Sequence, residues 1–183
     1  MTTHAHALPP NPAPWAEMVP TVGQMTVADL LNRPDDGWQY EVVDGVLVRM
    51  AGTRPQAGRV TRRLQLPLTL YVQAHGLGTV TLPDEVYDFE RTGQPNTGLL
   101  PALGFYYAFR EPLVRDAQAI PFAPDLAVEV ASLLQDRRAM SEKARRYLAG
   151  GTALVWVIYP HLEQIDVWRR RHGASARTWM GKR

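Results

Sequence analysis

The chain has 183 residues, of which 45% are hydrophobic and 21% charged, a composition typical of one globular domain with a single core. It contains no cysteine, which excludes disulfide bonds and thiolate metal sites. No apolar segment approaches the ~18 residues of a membrane-spanning helix, and the N-terminus lacks the pattern of a signal peptide. We therefore expect a soluble, cytoplasmic protein with no membrane partner.

The formal net charge of +2 conceals an uneven distribution of charge. Six of the 20 basic residues lie after residue 168, where there is no acidic residue. Residues 1–168 carry 14 basic and 18 acidic groups, which excludes the overall positive field of a protein that coats DNA without specificity. A local basic patch is still compatible with these numbers.

The two ends of the chain differ in composition from its middle. Five prolines in the first 20 residues and little apolar periodicity predict a disordered or loosely docked arm over residues 1–22. Residues 171–183 are predicted to form a basic flexible tail. The remaining residues, 23–170, are expected to form one domain.

The predicted elements of this domain begin with a short helix. Thr26 is a good N-cap residue for it, and Pro34 lies beyond its end. Two β-rich runs then flank Asp44-Gly45, a dipeptide that favours the tight turn of a β-hairpin. We therefore expect a hairpin near the N-terminus of the domain.

A long helix is predicted after Pro55 and should stop at Gly76, with a kink or a restart at Pro67. Strand patterns follow in GTVTL, EVYDFE and LLPALGFYYAF. DLAVEVA and TALVWVIY are nearly continuous apolar runs, typical of interior strands, and the helix DRRAMSEKARRYLAG between them would form a right-handed crossover. QIDVWRR adds a last strand. The pattern predicts a mixed β-sheet flanked by helices, in an α/β or α+β domain.

Two glutamates stand in apolar strand contexts. Glu129 lies in an interior strand, where an unpaired carboxylate would be costly to bury. It could bind Mg²⁺ together with other acids, or it could point outward at the strand end and pair with an arginine. Glu41, in the hairpin, could join such a site or lie on an exposed face. The residues alone leave these alternatives open.

The basic residues also have two interpretations. Lys143 is one of only two lysines, against 18 arginines, and it lies on the helix that follows the Glu129 strand. It could reach back to the end of that strand and act on a phosphate or a water molecule, or it could belong to a solvated basic face. Four arginines at the start of the long helix could contact a phosphate backbone or be solvated. They are Arg54, Arg59, Arg62 and Arg63.

In order and spacing, several segments resemble the Uma-type restriction endonucleases, a family formerly described as a domain of unknown function. The segments are YEVVDGVLVRM, PALGFYY, FAPDLAVEVAS, KARRYLAGGTALVWVIYP and IDVWRR. The family belongs to the PD-(D/E)XK nuclease superfamily. The resemblance covers residues 25–170 and implies a restriction-endonuclease-like core, Mg²⁺-dependent hydrolysis of DNA and, as in many such nucleases, a homodimer.

The resemblance also implies roles for individual residues. The glutamate of the family's YELIDG string falls on Glu41, and the second acid, in PDLVVEVLSP, falls on Glu129. The family's lysine, displaced from its usual position two residues past the acid, falls on Lys143. The implied catalytic set is therefore Glu41, Glu129 and Lys143, with Glu129 as a metal ligand.

Two departures from the family pattern argue against full activity. The metal-binding aspartate of the family's earlier PD string is here Ala102, and a histidine near the start of the long helix is Ala57. Asp84 and Glu85 lie in an adjacent strand region, and Glu85 is the candidate substitute for the aspartate. Asp125 is a weaker candidate, because it sits at the entry of its own strand, ~13 Å from Glu129 at ~3.3 Å per residue. We expect impaired or lost activity. The alternative is a catalytically inactive protein that uses the fold to bind DNA or another protein.

Overall fold

The structure, a computed structural model, describes residues 11–50, 55–132, 135, 137–171 and 174–181. The described α-helices are α1 (Val27–Leu31), α2 (Pro55–Ala74), α3 (Glu111–Val114) and α4 (Arg137–Ala149). The described strands are β1 (Glu17–Met18), β2 (Tyr40–Val43), β3 (Val46–Arg49), β4 (Gly78–Thr81), β5 (Tyr87–Asp88), β6 (Gly98–Leu99), β7 (Leu103–Tyr107), β8 (Leu126–Val130), β9 (Leu154–Tyr159), β10 (Gln164–Arg171) and β11 (Ala174–Gly181).

The strands form two sheets. The first has the order β1-β3-β2-β6-β5, and its centre is the predicted hairpin of β2 and β3. Asp44 and Gly45 have φ angles of 51° and 78°, the two positive values that a type I′ turn requires. The N-terminus of α1 is also as predicted, because the Thr26 hydroxyl accepts from the Asp29 amide while the Asp29 carboxylate accepts from the Thr26 amide.

The second sheet has the order β11-β10-β9-β8-β7-β4. β8 and β9 are parallel and α4 connects them, so the predicted crossover is confirmed. Side chains alternate between the two faces of β8. On one face, Leu126 and Val128 pack in the hydrophobic cluster that contains Val72 of α2. On the other face, Ala127 packs in the cluster that contains Met140 of α4. Glu129 therefore points to the α4 side.

The run LLPALGFYYAF, predicted as one strand, is divided between the two sheets. β6 ends at Leu99 in the first sheet, and β7 begins at Leu103 in the second. Pro101 has no N–H to donate to a strand partner, which favours a break here. Ala102 consequently lies at the junction of the two sheets.

Both ends of the described chain contain more regular structure than expected. In the predicted arm, β1 pairs with β3, and Ala13 and Trp15 are 0% and 3% exposed. In the predicted flexible tail, β11 pairs with β10 along its whole length. α2 continues through Pro67 as one helix without a restart. None of the helices within the described ranges is both long and apolar enough to cross a membrane.

Candidate active site

The three residues of the expected catalytic set meet in one buried cluster. Glu41 comes from β2, Glu129 from β8 and Lys143 from α4, and their exposed fractions are 0%, 6% and 0%. The Lys143 Nζ atom lies 2.8 Å from Glu41 Oε1 and 2.9 Å from Glu129 Oε1. One ammonium therefore bridges two carboxylates, and neither glutamate adopts the exposed alternative that the sequence left open.

The position of Lys143 follows from the periodicity of α4. The buried residues of this helix recur three and four positions apart, so they share one face; they are Ala139, Met140, Ser141, Lys143, Ala144, Tyr147 and Leu148. Lys143 is in the middle of that face, whereas Arg138 and Arg145 are exposed. The helix thus has a solvated basic face, but Lys143 does not belong to it.

Glu41 is fully engaged by donors from three parts of the chain. Its Oε1 atom accepts from the backbone amide of Leu100 at 2.8 Å as well as contacting Lys143. Its Oε2 atom accepts from the indole Nε1 of Trp15 at 2.9 Å. Because both oxygens have partners, the burial of this carboxylate is compensated by hydrogen bonds and by one opposite charge.

Glu129 is less completely engaged. Its Oε1 atom accepts from the Tyr147 hydroxyl at 2.8 Å in addition to contacting Lys143. Its Oε2 atom has no hydrogen-bond partner among the described residues, and the residue lines a cleft. Oε2 of Glu129 is therefore the carboxylate oxygen of the cluster that is open to a ligand.

Burial is the largest single influence on the pKa values of Glu129, Lys143 and Tyr147. Burial raises the pKa of Glu129, the charge of Lys143 opposes this rise, and the charge of Glu41 adds to it. For Lys143, burial lowers the pKa, but the two carboxylates outweigh it and the pKa lies above its ordinary value. Burial, followed by the two negative charges, raises the pKa of Tyr147 well above its ordinary value. Lys143 is thus held protonated, and Tyr147 remains a donor.

The open side of Glu129 faces a cleft of about 260 Å³, here called the main cleft. Ala57 of α2 and Ala102 line it together with Glu129. Leu103 of β7 pairs with Val128 of β8, so the same register places Ala102 opposite Glu129. The two positions at which the family resemblance implies a histidine and an aspartate therefore do flank the main cleft, but they offer no ligand atoms.

Asp84, Glu85 and Asp125, the candidate replacements for the aspartate, all lie away from the main cleft. Glu85 is exposed, and its Oε1 atom caps a turn by accepting from the Leu82 amide at 2.8 Å. Asp125 accepts from the Tyr107 amide at 3.1 Å and pairs with Arg110 at 3.3 Å.

Among the described residues, Glu129 is the one acidic side chain that the main cleft offers to a divalent metal. Mg²⁺ is usually bound through one or two carboxylates together with waters and substrate phosphates. The described residues contain no group of three or more His, Asp or Glu side chains that could hold a metal. The cluster offers one open carboxylate oxygen, on Glu129, and Lys143 already supplies a positive charge between the two acids.

Three of the four arginines expected to contact DNA are in the described part of the chain. Arg59, Arg62 and Arg63 are exposed on α2, and none has an acidic partner among the described residues. Arg62 lines the main cleft, and all three line a shallow neighbouring pocket. Arg54 lies outside the described residues.

Sequence reasoning missed Trp15, Tyr147 and the Leu100 amide as partners of the two carboxylates. Tyr147 could have been found, since it lies four residues after Lys143 on the same helical face. Trp15 gave no signal because the proline-rich segment around it has no periodicity. The Leu100 amide could not be assigned without the break between β6 and β7.

Comparisons with known proteins agree with the fold. Residues 27–179 match the family model Uma2, described as "Putative restriction endonuclease". The chain is also similar to the crystal structure of a putative nuclease belonging to DUF820 from Anabaena variabilis ATCC 29413. The two sequences are 17% identical, the TM-score is 0.70, and the match covers 84% of this chain and 83% of the other. At this sequence identity, the similarity shows the fold alone. The comparison with curated proteins found no match. The restriction-endonuclease-like fold is confirmed.

Proposed function

Because this chain belongs to the Uma2 restriction endonuclease family, we propose that it binds DNA at the main cleft and hydrolyses phosphodiester bonds slowly or not at all. One observation carries the second part of this proposal. Ala102, at the position of the family's metal-binding aspartate, lies opposite Glu129, and no other acidic residue in the described part of the chain lines the main cleft.

In nucleases of this type, a divalent cation neutralises charge on the phosphate and activates a water molecule. Here Lys143 contacts Glu41 and Glu129, is fully buried and does not line the main cleft, so its ammonium is not exposed to a phosphate bound there. Glu41 has both oxygens engaged and acts as an anchor for Lys143. Of the acidic residues that the structure describes, Glu129 is the one that lines the main cleft, which supports impaired hydrolysis.

Binding of DNA is proposed for the side of the main cleft formed by α2. Arg59, Arg62 and Arg63 present positive charges that no described carboxylate neutralises. Arg62 lies on the wall of the main cleft, within reach of the same ligand as Glu129. Unpaired guanidinium groups of this kind bind phosphates and release counterions from DNA.

A cleavage assay tests the catalytic part. Plasmid DNA is incubated with Mg²⁺ or Mn²⁺ and the wild-type protein, Ala102→Asp or Glu129→Ala. Losing one positioned catalytic group commonly lowers a rate by about 10²–10⁴, so we expect Ala102→Asp to cut at least about a hundredfold faster than the wild type. Rapid metal-dependent cutting by the wild type that Glu129→Ala abolishes would refute the claim of impairment.

A binding assay tests the DNA part separately. The affinity of duplex DNA is measured against salt concentration for the wild type and for Arg59, Arg62 and Arg63 jointly replaced by alanine. The triple variant should bind more weakly and show a salt slope lower by about 0.9 for each phosphate that it no longer neutralises. Arg138→Ala, an exposed arginine on α4, is the matched control. Absence of DNA binding by the wild type would favour the alternative, a protein-interaction module.

Two coarser features belong to the same proposal. A homodimer is proposed from the family resemblance, and light scattering of the purified chain tests it. A cytoplasmic location suits a cysteine-free protein that acts on DNA.

A further inference from the structure

A second cleft lies beside the main cleft and is here called the Trp38 cleft. It has a volume of about 320 Å³ and is lined by Trp38 and Arg49, among others. Met50 and Gln135 line both clefts, so they form the partition between them. A ligand in the main cleft therefore has the Trp38 cleft as its immediate neighbour on the side of the β2–β3 hairpin.

Trp38 is held in place but only half covered. Its backbone amide donates to the Asp36 carboxylate at 3.1 Å, which fixes the segment before β2. The Arg49 guanidinium lies over its ring at 4.5 Å from the centroid. The residue nevertheless keeps 49% of its surface exposed. A large aromatic ring with an open surface is suited to stacking.

The charges in the Trp38 cleft indicate what kind of group it would take. Arg49 pairs with Glu17 at 2.5 Å, and both residues line the cleft, so their charges offset each other. An anionic phosphate would gain little there, whereas a flat, uncharged ring would stack on the indole. In a DNA ligand the flat, uncharged group is the base.

We infer that the Trp38 cleft binds a nucleobase that is unpaired and turned away from the DNA strand whose phosphate lies in the main cleft. The inference rests on the proposed DNA binding and makes it more specific, because a base within a duplex cannot reach the indole. The ligand class is then DNA with a single-stranded segment or a bulged nucleotide at the site. Arginines of α2 contact the backbone on one side of Glu129, and Trp38 stacks on a base on the other side.

The test compares two ligands of equal length, a fully paired duplex and the same duplex with one bulged nucleotide, by fluorescence anisotropy at fixed salt. Stacking of one base on an aromatic ring is worth roughly 1–3 kcal/mol, so Trp38→Ala should weaken binding of the bulged ligand about five- to 150-fold. Binding of the paired duplex should change less than about twofold. Trp38→Phe, which keeps a ring, should recover most of the affinity.

Tyr71→Ala is the matched control, since Tyr71 is an exposed aromatic residue on α2 that lines neither cleft. Circular dichroism confirms that each variant is folded, and quenching of wild-type tryptophan emission by the bulged ligand provides a measurement that needs no variant. Equal affinity of Trp38→Ala and wild type for the bulged ligand, with duplex binding intact, would overturn this inference alone. Failure of the wild type to bind either ligand would overturn the proposed DNA binding as well.

Discussion

Lys143→Met is the substitution that most directly probes the buried ion-pair cluster. Methionine keeps most of the volume of the lysine stem but removes the ammonium that lies 2.8 and 2.9 Å from two buried carboxylates. Removing one partner of a buried ion pair costs about 3–5 kcal/mol. With a urea m-value of about 2 kcal/mol/M, the unfolding midpoint at pH 7 should fall by about 1.5–2.5 M.

Two further variants separate this effect from a general sensitivity of α4. Arg138→Met, on the exposed face of the same helix, should change the free energy of unfolding by less than about 0.5 kcal/mol. Combining Lys143→Met with Glu41→Gln and Glu129→Gln should recover more than half of the stability, because no buried carboxylate is then left unpaired. If Lys143→Met lowers stability no more than Arg138→Met does, Lys143 does not compensate two buried charges.

Three other predictions concern pH and packing. The two carboxylates outweigh burial and raise the pKa of Lys143 above its ordinary value of 10.5. The stabilising contribution of Lys143 is therefore present below pH 10.5 and is lost as the pH rises through the pKa of the folded state. Urea titrations at alkaline pH should show the free energy of unfolding falling with pH in this range in the wild type and not in Lys143→Met. Trp15→Phe removes the N–H donor to Glu41 and should lower the free energy of unfolding by about 1.5–3 kcal/mol; a decrease under about 0.5 kcal/mol would mean that this hydrogen bond adds little. Gly104→Ala would place a Cβ atom in steric conflict with the Tyr87 hydroxyl oxygen and should cost about 1–3 kcal/mol in thermal unfolding, whereas an unchanged Tm would show that the neighbours move aside freely.

Local sequence patterns predict only part of the cluster of Glu41, Glu129 and Lys143. Strand alternation places Glu129 on one face of β8, and helical periodicity places Lys143 on the buried face of α4. α4 is the crossover between β8 and β9, so these two residues face each other when Glu129 lies on the α4 side of the sheet, as it does in the structure. The third member, Glu41, lies in the other sheet, and no local pattern relates the two sheets. Its place in the cluster was implied by the family resemblance.

Features that depend on distant contacts could not be predicted. Trp15 is buried because it donates to Glu41, 26 residues later, and Gln135 donates to its carbonyl oxygen, 120 residues later. β11 lies in the segment 171–183, for which its terminal position and basic composition predict a flexible tail, yet it pairs with β10. In both cases a partner elsewhere in the fold outweighs local composition, which is the usual limit of propensity arguments.

The break at Pro101 had a local signal that the apolar run concealed. LLPALGFYYAF contains enough strand-forming residues to predict one strand, but the proline interrupts hydrogen bonding and the chain changes sheets there. The same break directs the Leu100 amide to Glu41 and brings Ala102 to the main cleft. A single proline thus positions two parts of the candidate site.

Ala102 leaves the site without the metal ligand that the family pattern places there, and the proposed impairment depends on this residue above all. Calorimetric titration with Mn²⁺ tests its effect without requiring activity or DNA. We expect no saturable binding by the wild type, and binding by Ala102→Asp that is at least about tenfold tighter, which corresponds to about 1.4 kcal/mol from the restored carboxylate. Ala102→Asp combined with Glu129→Gln should abolish this gain. One result would contradict the proposed impairment: the wild type binds Mn²⁺ saturably, Glu129→Gln abolishes this binding, and Ala102→Asp does not strengthen it.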